Sequence, residues 1–425
     1  MKTRAVGLCA GLFGLAGVTS AWSWDGLPAV PQALAAGKPN LDVRLRYEGV
    51  HQGNFADSAR ATTVRARLGY TTGSWNDVSL MLEYQGTTAI GDDEFNSTAN
   101  GRTPYPVVAD PSMNQVDQFW IAYAGLPHTV IRYGRQHLQY DDARFVGDAE
   151  FRQNWQTYDG LTLTGTWWPR LRFDYALLSN VDSFRENTIA GINTKNIDLR
   201  SSQLFHLSYA WARWLDTTAY AYLLNFAHDA PLPPAVGASL NDPRRDSATY
   251  GVRVHGAWDF VPLKPNYLLE YARQRPYASS PAGIDADYYR VELAASARAV
   301  GVKLGYEALG GDGRYGFQTP LATLHAFQGW ADQFLITPPD GIEDWYVALS
   351  GTVEKIALQA VGHDFSPQHP GPHDGSELDL QATRPFGGGF NLGATYAHYF
   401  ADHFPSASGV AYSTTKLWVW IEYKF

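Results

Sequence analysis

The chain has 425 residues, with 33 Lys and Arg against 42 Asp and Glu, 18% charged residues and 14% aromatic ones. Soluble domains carry about 25% charge, and past the N-terminus no apolar run approaches the ~18 residues of a membrane helix, which excludes a helical membrane protein. The acidic balance argues against nucleic acid as a partner. An aromatic-rich chain with 40 glycines and no such helix points to a large all-β protein. A transmembrane antiparallel β-barrel also explains the rings, as interfacial girdles.

Lys2 and Arg4 precede the apolar Ala5 to Val18, and Thr19-Ser20-Ala21 supplies a cleavage site, so residues 1–21 read as a secretory signal peptide. Its removal leaves 31 basic against 42 acidic residues, a net charge of −11. Cys9, the only cysteine, lies in this segment with little hydrophobic sequence before it, which disfavours lipidation. The mature chain then has no disulfide, thiolate nucleophile or cysteine-based metal site. Residues 22–40 read as a periplasmic lead and 41–425 as the barrel.

Hydrophobic residues recur with a period of two, first in Val43, Leu45 and Tyr47, then in Val64 to Tyr70, Val78 to Tyr84, and Phe119, Ile121, Tyr123. The same beat runs through Leu171 to Leu177, Phe205 to Trp211, Tyr220 to Phe226, Tyr250 to Trp258, and Tyr289 to Leu293. It continues in Val300 to Tyr306 and Trp345 to Leu349. It ends with Leu417, Val419, Ile421, Tyr423 and Phe425 alternating with more polar partners. The pattern predicts about 18 strands.

Connections alternate in length. Short ones are Ser74 to Asp77, Gly125 to Pro127, Trp167 to Arg170, Arg213-Trp214, Val261 to Pro265, Ala297-Arg298, Val353-Glu354 and Phe386 to Gly389. Long polar ones fall at 87–115, 139–157, 179–201, 227–247 and 310–341. Short periplasmic turns and long external loops are the habit of bacterial outer-membrane barrels. Trp75, Trp167, Trp168, Trp214 and Trp258 cluster at the short turns, where a periplasmic girdle belongs. Tyr423 with terminal Phe425 resembles the C-terminal signal read by the barrel assembly machinery. The expected surroundings are outer-membrane lipid and lipopolysaccharide.

With the oily positions facing lipid, the alternate residues line the pore. Arg44 and Arg46 on the first strand and Arg65 and Arg67 on the second form one basic patch, which Arg132 and Arg172 extend. Acids gather later, at Glu270, Glu292, Glu307, Asp344, Glu377, Asp379 and Glu422, with Glu48, Glu83 and Asp174 among the arginines. A basic ladder facing an acidic wall makes a transverse field that selects ions. Cross-strand pairing that stiffens the wall is the competing reading.

The third external loop carries Tyr140 to Gly147 and the run from Phe151 to Gly160. In the seventh, Leu321, Leu324, Phe327, Trp330 and Phe334 follow helical spacing behind Thr319-Pro320, which predicts a short amphipathic helix over 319–334 that narrows the lumen. The run from Arg132 to Gln136 (RYGRQ), FRQNWQTYDG from Phe151 to Gly160, and LATLHAFQGWADQF from Leu321 to Phe334 resemble the alginate-export family of Gram-negative outer-membrane porins. The resemblance spans essentially the whole barrel. It implies a monomeric 18-stranded channel with an arginine-rich passage for anionic uronate polymers. Such exporters share an extended periplasmic loop, whereas the connection before the penultimate strand here is only Pro385 to Gly389.

Asp141-Asp142 with a histidine could mimic an outer-membrane protease, and serine with histidine a phospholipase, but neither has a supporting constellation at fixed spacing. His363, His369 and His373 with Asp364 and Asp374 read as a solvated loop rather than a metal site, and Asp92-Asp93-Glu94 as a charged loop tip. No cofactor or metal is expected. The expectation is a passive channel for anionic or carbohydrate solutes, not an enzyme, with a non-conducting structural or adhesive barrel plugged by its loops as the alternative.

Overall fold

The computed structural model describes residues 29–91, 93–184, 196–227, 246–280, 283–369, 371–402 and 412–425. Residues 1–21, expected to be a signal peptide, and Asp92 lie outside them. A seven-residue helix, α1 (Ala29–Ala35), precedes the sheet. The strands follow as β1 (Lys38–Gln52), β2 (Ala59–Thr71), β3 (Val78–Ala89), β4 (Met113–Leu126), β5 (Thr129–Gln136) and β6 (Thr157–Gly165). Next come β7 (Leu171–Asp182), β8 (Asn196–Ala212), β9 (Leu215–Leu224), β10 (Ser247–Ala257), β11 (Leu263–Pro276) and β12 (Ala286–Ala297). The last six are β13 (Val300–Leu309), β14 (Ile342–Val353), β15 (Ile356–Ser366), β16 (Gly375–Gly387), β17 (Phe390–Ala401) and β18 (Thr414–Lys424).

Each strand pairs antiparallel with its sequence neighbours, and β1 pairs with β18, so the 18-stranded sheet closes without an edge. Closure satisfies every backbone group internally, which lipid demands. Around the seam Phe425 contributes backbone as well as a ring: its N–H donates to the Leu41 carbonyl at 2.9 Å and its carbonyl accepts from Leu41 N–H at 3.2 Å. Tyr423 faces outward against Phe390, ring centroids 4.8 Å apart.

The expected alternation holds in the burial of each strand. In β1, Asp42, Arg44, Arg46 and Glu48 are buried toward the lumen while Leu45 is exposed to the lipid side. In β18, Leu417, Val419 and Ile421 are exposed outward, while Lys416 and Trp418 are buried inside. The periplasmic ends carry exposed Trp167, Trp168, Trp214 and Trp258. Toward the other end Tyr271 pairs with Tyr289 at 5.2 Å and Tyr306 with Trp345 at 4.5 Å, a second belt of rings. Periplasmic turns are short throughout. At Glu354-Lys355 both residues take left-handed φ, 48° and 69°, the two-residue turn whose twist matches that of the flanking strands.

Helix α1 docks on the β2–β3 turn, where Gly73 N–H donates to the Ala33 carbonyl at 2.9 Å. Tyr70 fills the space beside Gly37, so a side chain there would clash.

Candidate lumen constriction

The third external loop, L3 (137–156), and the seventh, L7 (310–341), both fold into the barrel and meet there. Val146 and Leu321 form a parallel bridge, Gly147 N–H donates to the Leu321 carbonyl at 2.8 Å, and Thr323 N–H donates to the Ala143 carbonyl at 3.1 Å. A Cβ on Gly147 would lie 2.6 Å from the Ala143 Cβ and 3.1 Å from Thr323 N, so the close approach requires glycine. Phe151 of L3 stacks on His325 of L7 at 3.4 Å.

Charges fasten the crossing to the wall. Arg144, on L3, donates to Glu307 on β13 at 2.5 Å, and to Thr319 and Gln328 of L7. Arg152, also on L3, reaches Asp332 of L7 at 3.0 Å, and Asp332 accepts from Lys416 on β18 at 2.7 Å and pairs with His325 at 2.7 Å. Burial pushes the Asp332 carboxyl up, but Lys416, His325 and Arg152 prevail and hold it well below the usual range. Burial pulls the His325 imidazole down despite Asp332. Asp142 binds Arg290 at 2.6 Å and Arg253 at 3.1 Å, and these cations outweigh burial to lower its pKa to about 2. On the other flank of L7, Trp330 and Ala331 donate backbone N–H groups to Asp379 and Glu377 of β16.

The helix expected over 319–334 is absent. Leu324, Gln328, Gly329 and Asp332 take φ of 62°, 51°, 79° and 60°, and a left-handed residue at every turn prevents helical propagation. The apolar spacing arises because alternate turns of L7 reach different walls. Phe334 packs on Phe365 and Tyr399, Phe327 lies under the guanidiniums of Arg144 and Arg290, and Trp330 borders the buried cluster. Leu324 alone of the four lines the extracellular opening.

The four ladder arginines face the lumen together, Arg44 directly across from Arg65 in the β1–β2 register. Each is fully or nearly buried and already engaged. Arg46 pairs with Glu48 at 3.0 Å and with Asp110, Arg65 with Asp42 at 2.5 Å and Glu422 at 3.2 Å, and Arg67 with Asp42 at 2.6 Å. Arg44 has no carboxylate partner among the described residues; it binds the Gln153 side chain at 2.9 Å and the backbone carbonyls of Glu150, Phe151 and Arg152. The ladder therefore grips L3. Arg132 lies apart on β5, its guanidinium 4.3 Å over Trp120, and Arg172 on β7 is half-exposed and bound to Asp174 at 2.6 Å. Neither is on the β1–β2 patch.

Sequence reasoning passed over Asp42 and Asp110, the acids that do most to neutralise the ladder. Asp42 was visible in principle, since it shares the parity of Arg44 and Arg46. Asp110 comes from the second loop, and nothing local marks it. Glu83, expected among the arginines, instead accepts from Gln118 at 3.1 Å and from Asn40. The loop histidine His373 bridges Asp364 and Asp402 at 3.0 and 2.7 Å on the exposed surface, and Asp141 pairs with His206 at 3.0 Å.

Two cavities flank the crossing. The extracellular one, about 530 Å³, ends on Arg152, His325, Asp332 and Lys416. The periplasmic one, about 570 Å³, is lined by Arg253, His255, Asp216 and Glu292 among others.

The sequence profile of the alginate export family matches residues 40–318. The chain belongs to the alginate export family. Among solved structures, this family member is similar to OccAB2 of Acinetobacter baumannii at 15% identity, covering 92% of this chain and 99% of that one with a TM-score of 0.68. It is similar to OccD3 (OpdP) of Pseudomonas aeruginosa at 13% identity, 92% of both chains and 0.67. OccK5 (OpdH) of the same organism gives 12%, 92% and 99%, and 0.64. At these identities the likeness is one of fold. No curated protein matches the chain. A closed barrel with an apolar outer face, in this family, is an outer-membrane protein of the porin type.

Proposed function

We propose that this alginate export family member is a passive, monomeric outer-membrane channel for small anionic or carbohydrate solutes, uronates among them. One observation carries the reading: Arg152 and Lys416 both line the extracellular cavity and share the carboxylate of Asp332, with Glu48 standing 3.8 Å behind Arg152. An anion entering that cavity meets a guanidinium and an ammonium side by side where dielectric screening is weakest. The inner faces of β11 to β16 carry Glu270, Glu292, Glu307, Asp344, Glu377 and Asp379, with Arg290 among them and three of the acids holding L3 and L7, while the ladder lies on β1 and β2. That segregation supports a transverse field.

The short periplasmic turns favour small solutes over a polymer that needs a dedicated periplasmic gate. Nothing in the site brings a nucleophile and a base together around a substrate cavity, in keeping with transport rather than catalysis. Single-channel recording in planar bilayers tests the reading, with discrete anion-preferring openings expected.

The second reading is a non-conducting barrel plugged by its loops and serving a structural or adhesive role. Its support is the number of buried ties between L3, L7 and the wall, Arg144 to Glu307 foremost. A silent bilayer holding folded protein would select it.

A further inference from the structure

At the root of L3 the wall holds a cluster that the transport reading does not use. Glu83 on β3, Asp117 on β4 and His137, the first residue after β5, bring one ligand atom each within 4.8 Å of one another. His137 Nε2 lies 2.9 Å from Asp117 Oδ2 and 4.0 Å from Glu83 Oε1. Those separations bracket the edge of about 3.3 Å that a tetrahedron with metal–ligand bonds of about 2.0 to 2.1 Å requires.

The two carboxylates are buried, and their cationic company is thin. Arg67 Nη1 is 3.7 Å from Asp117, but the same guanidinium is bound to Asp42 at 2.6 Å and lies 3.4 Å over Trp155. Glu83 accepts from the neutral amides of Asn40 and Gln118, and its nearest ionisable nitrogen is that of His137. Two buried carboxylates therefore share one guanidinium and the His137 imidazole, and a divalent ion among the three side chains would balance both.

A second observation points to a ligand. Gln115 is 6% exposed, and its Oε1 has no partner although its Nε2 is 3.4 Å from Asp117 Oδ1. Amide oxygen and nitrogen are interchangeable by a flip, so the same side chain can offer an oxygen to an ion held by Asp117. On the far side of the imidazole, Nδ1 is also without a hydrogen bond and stands 3.8 Å from Asp148 Oδ2. A carboxylate poised behind a histidine is the arrangement that orients metal-bound imidazoles.

We propose that Glu83, Asp117 and His137, with Gln115 as a fourth donor, bind a divalent transition ion of the zinc class in the barrel wall. The imidazole favours such an ion over calcium or magnesium, which take oxygen donors. The bound ion ties the first residue of L3 to β3 and β4 and so fixes the loop at its root. This site does not depend on the barrel conducting.

The test uses the full-length folded barrel in detergent, dialysed against zinc chloride alone and assayed for bound metal by mass spectrometry. His137→Gln and Asp117→Asn should each bind one zinc fewer than wild type while keeping the heat-modifiable migration of a folded barrel, whereas His373→Gln should leave this equivalent in place. Wild-type crystals soaked in zinc should show an anomalous peak between Glu83, Asp117 and His137, a result that needs no variant to fold. Zinc content unaltered by His137→Gln, or an anomalous map with no peak at these side chains, would overturn the proposal.

Discussion

Arg144 on the third external loop donates its Nε hydrogen to Glu307 Oε1 on the lumen wall at 2.5 Å, each side chain only 2% exposed. The same guanidinium reaches Thr319 and Gln328 of the seventh loop, so one residue joins two loops and a strand. Removing one partner of a buried pair leaves an uncompensated charge, at a cost of about 3 to 5 kcal/mol. Arg144→Ala should loosen both loops, giving larger and noisier conductance and faster amide exchange over 140–156 and 319–332. Arg144→Ala with Glu307→Gln should recover part of the loss, because no bare carboxylate remains. Equal exchange in wild type and Arg144→Ala would remove this tie from the account.

Replacing 319–334 by a short Gly-Ser linker should raise conductance and weaken discrimination by size. The segment's own anchors are Phe334 on Phe365 and Asp332 on Lys416. The strands pair fully without it, and external loops tolerate deletion. Conductance equal to wild type would place L7 off the conduction path.

The Asp142 anchor of L3 should be insensitive to mild acid. Asp142 is held at about 2 by Arg290 and Arg253 against the upward pull of burial. A carboxyl with a depressed folded pKa stabilises above its unfolded value of about 3.9, and that contribution disappears as pH falls through the folded value. Channel noise arising at the Asp142 anchor should therefore be flat from pH 7 to about pH 4 and rise only near pH 2. Asp142→Asn should bring the noisy state to neutral pH. A transition centred at pH 5 or 6 in wild type would assign the anchor to another group.

Deleting Phe425 removes a ring that is 73% exposed and the last backbone pair to Leu41. The truncated chain should be secreted but inserted poorly, with a smaller heat-modifiable fraction on gels. Insertion equal to wild type would argue against a terminal assembly signal.

Much of this architecture is legible in the sequence because a lipid-facing strand leaves a period of two that only register can hide. Leu417, Val419 and Ile421 announce β18 and its outward face together, and the turn tryptophans mark the periplasmic rim. Contacts made across the lumen leave no such trace. The L3–L7 bridge joins Val146 to Leu321, and the partner of Arg46 at Asp110 comes from a different loop. The spacing of Leu324, Phe327, Trp330 and Phe334 misleads for the same reason: it records contacts to several walls, with left-handed residues between them, instead of one helical face. The ladder could be seen in Arg44, Arg46, Arg65 and Arg67, but not that Arg44 holds the carbonyls of residues 150–152.

An anion-preferring passage would be set by the field at the constriction rather than by exposed loops, whose charges are screened beyond about 8 Å at physiological salt. The reversal potential of the wild-type channel in a potassium chloride gradient tests it most directly. The expected potential has the sign that favours chloride and shifts toward cations when Arg44, Arg46, Arg65 and Arg67 are all replaced by Gln, since Asp42, Glu48, Asp110 and Glu422 then lose these arginine partners, Glu422 keeping Lys424 at 3.2 Å and Glu48 keeping Arg152 at 3.8 Å. A wild-type channel that favours potassium would contradict an anion-preferring constriction at Arg152 and Lys416 and, with it, the anionic substrate class.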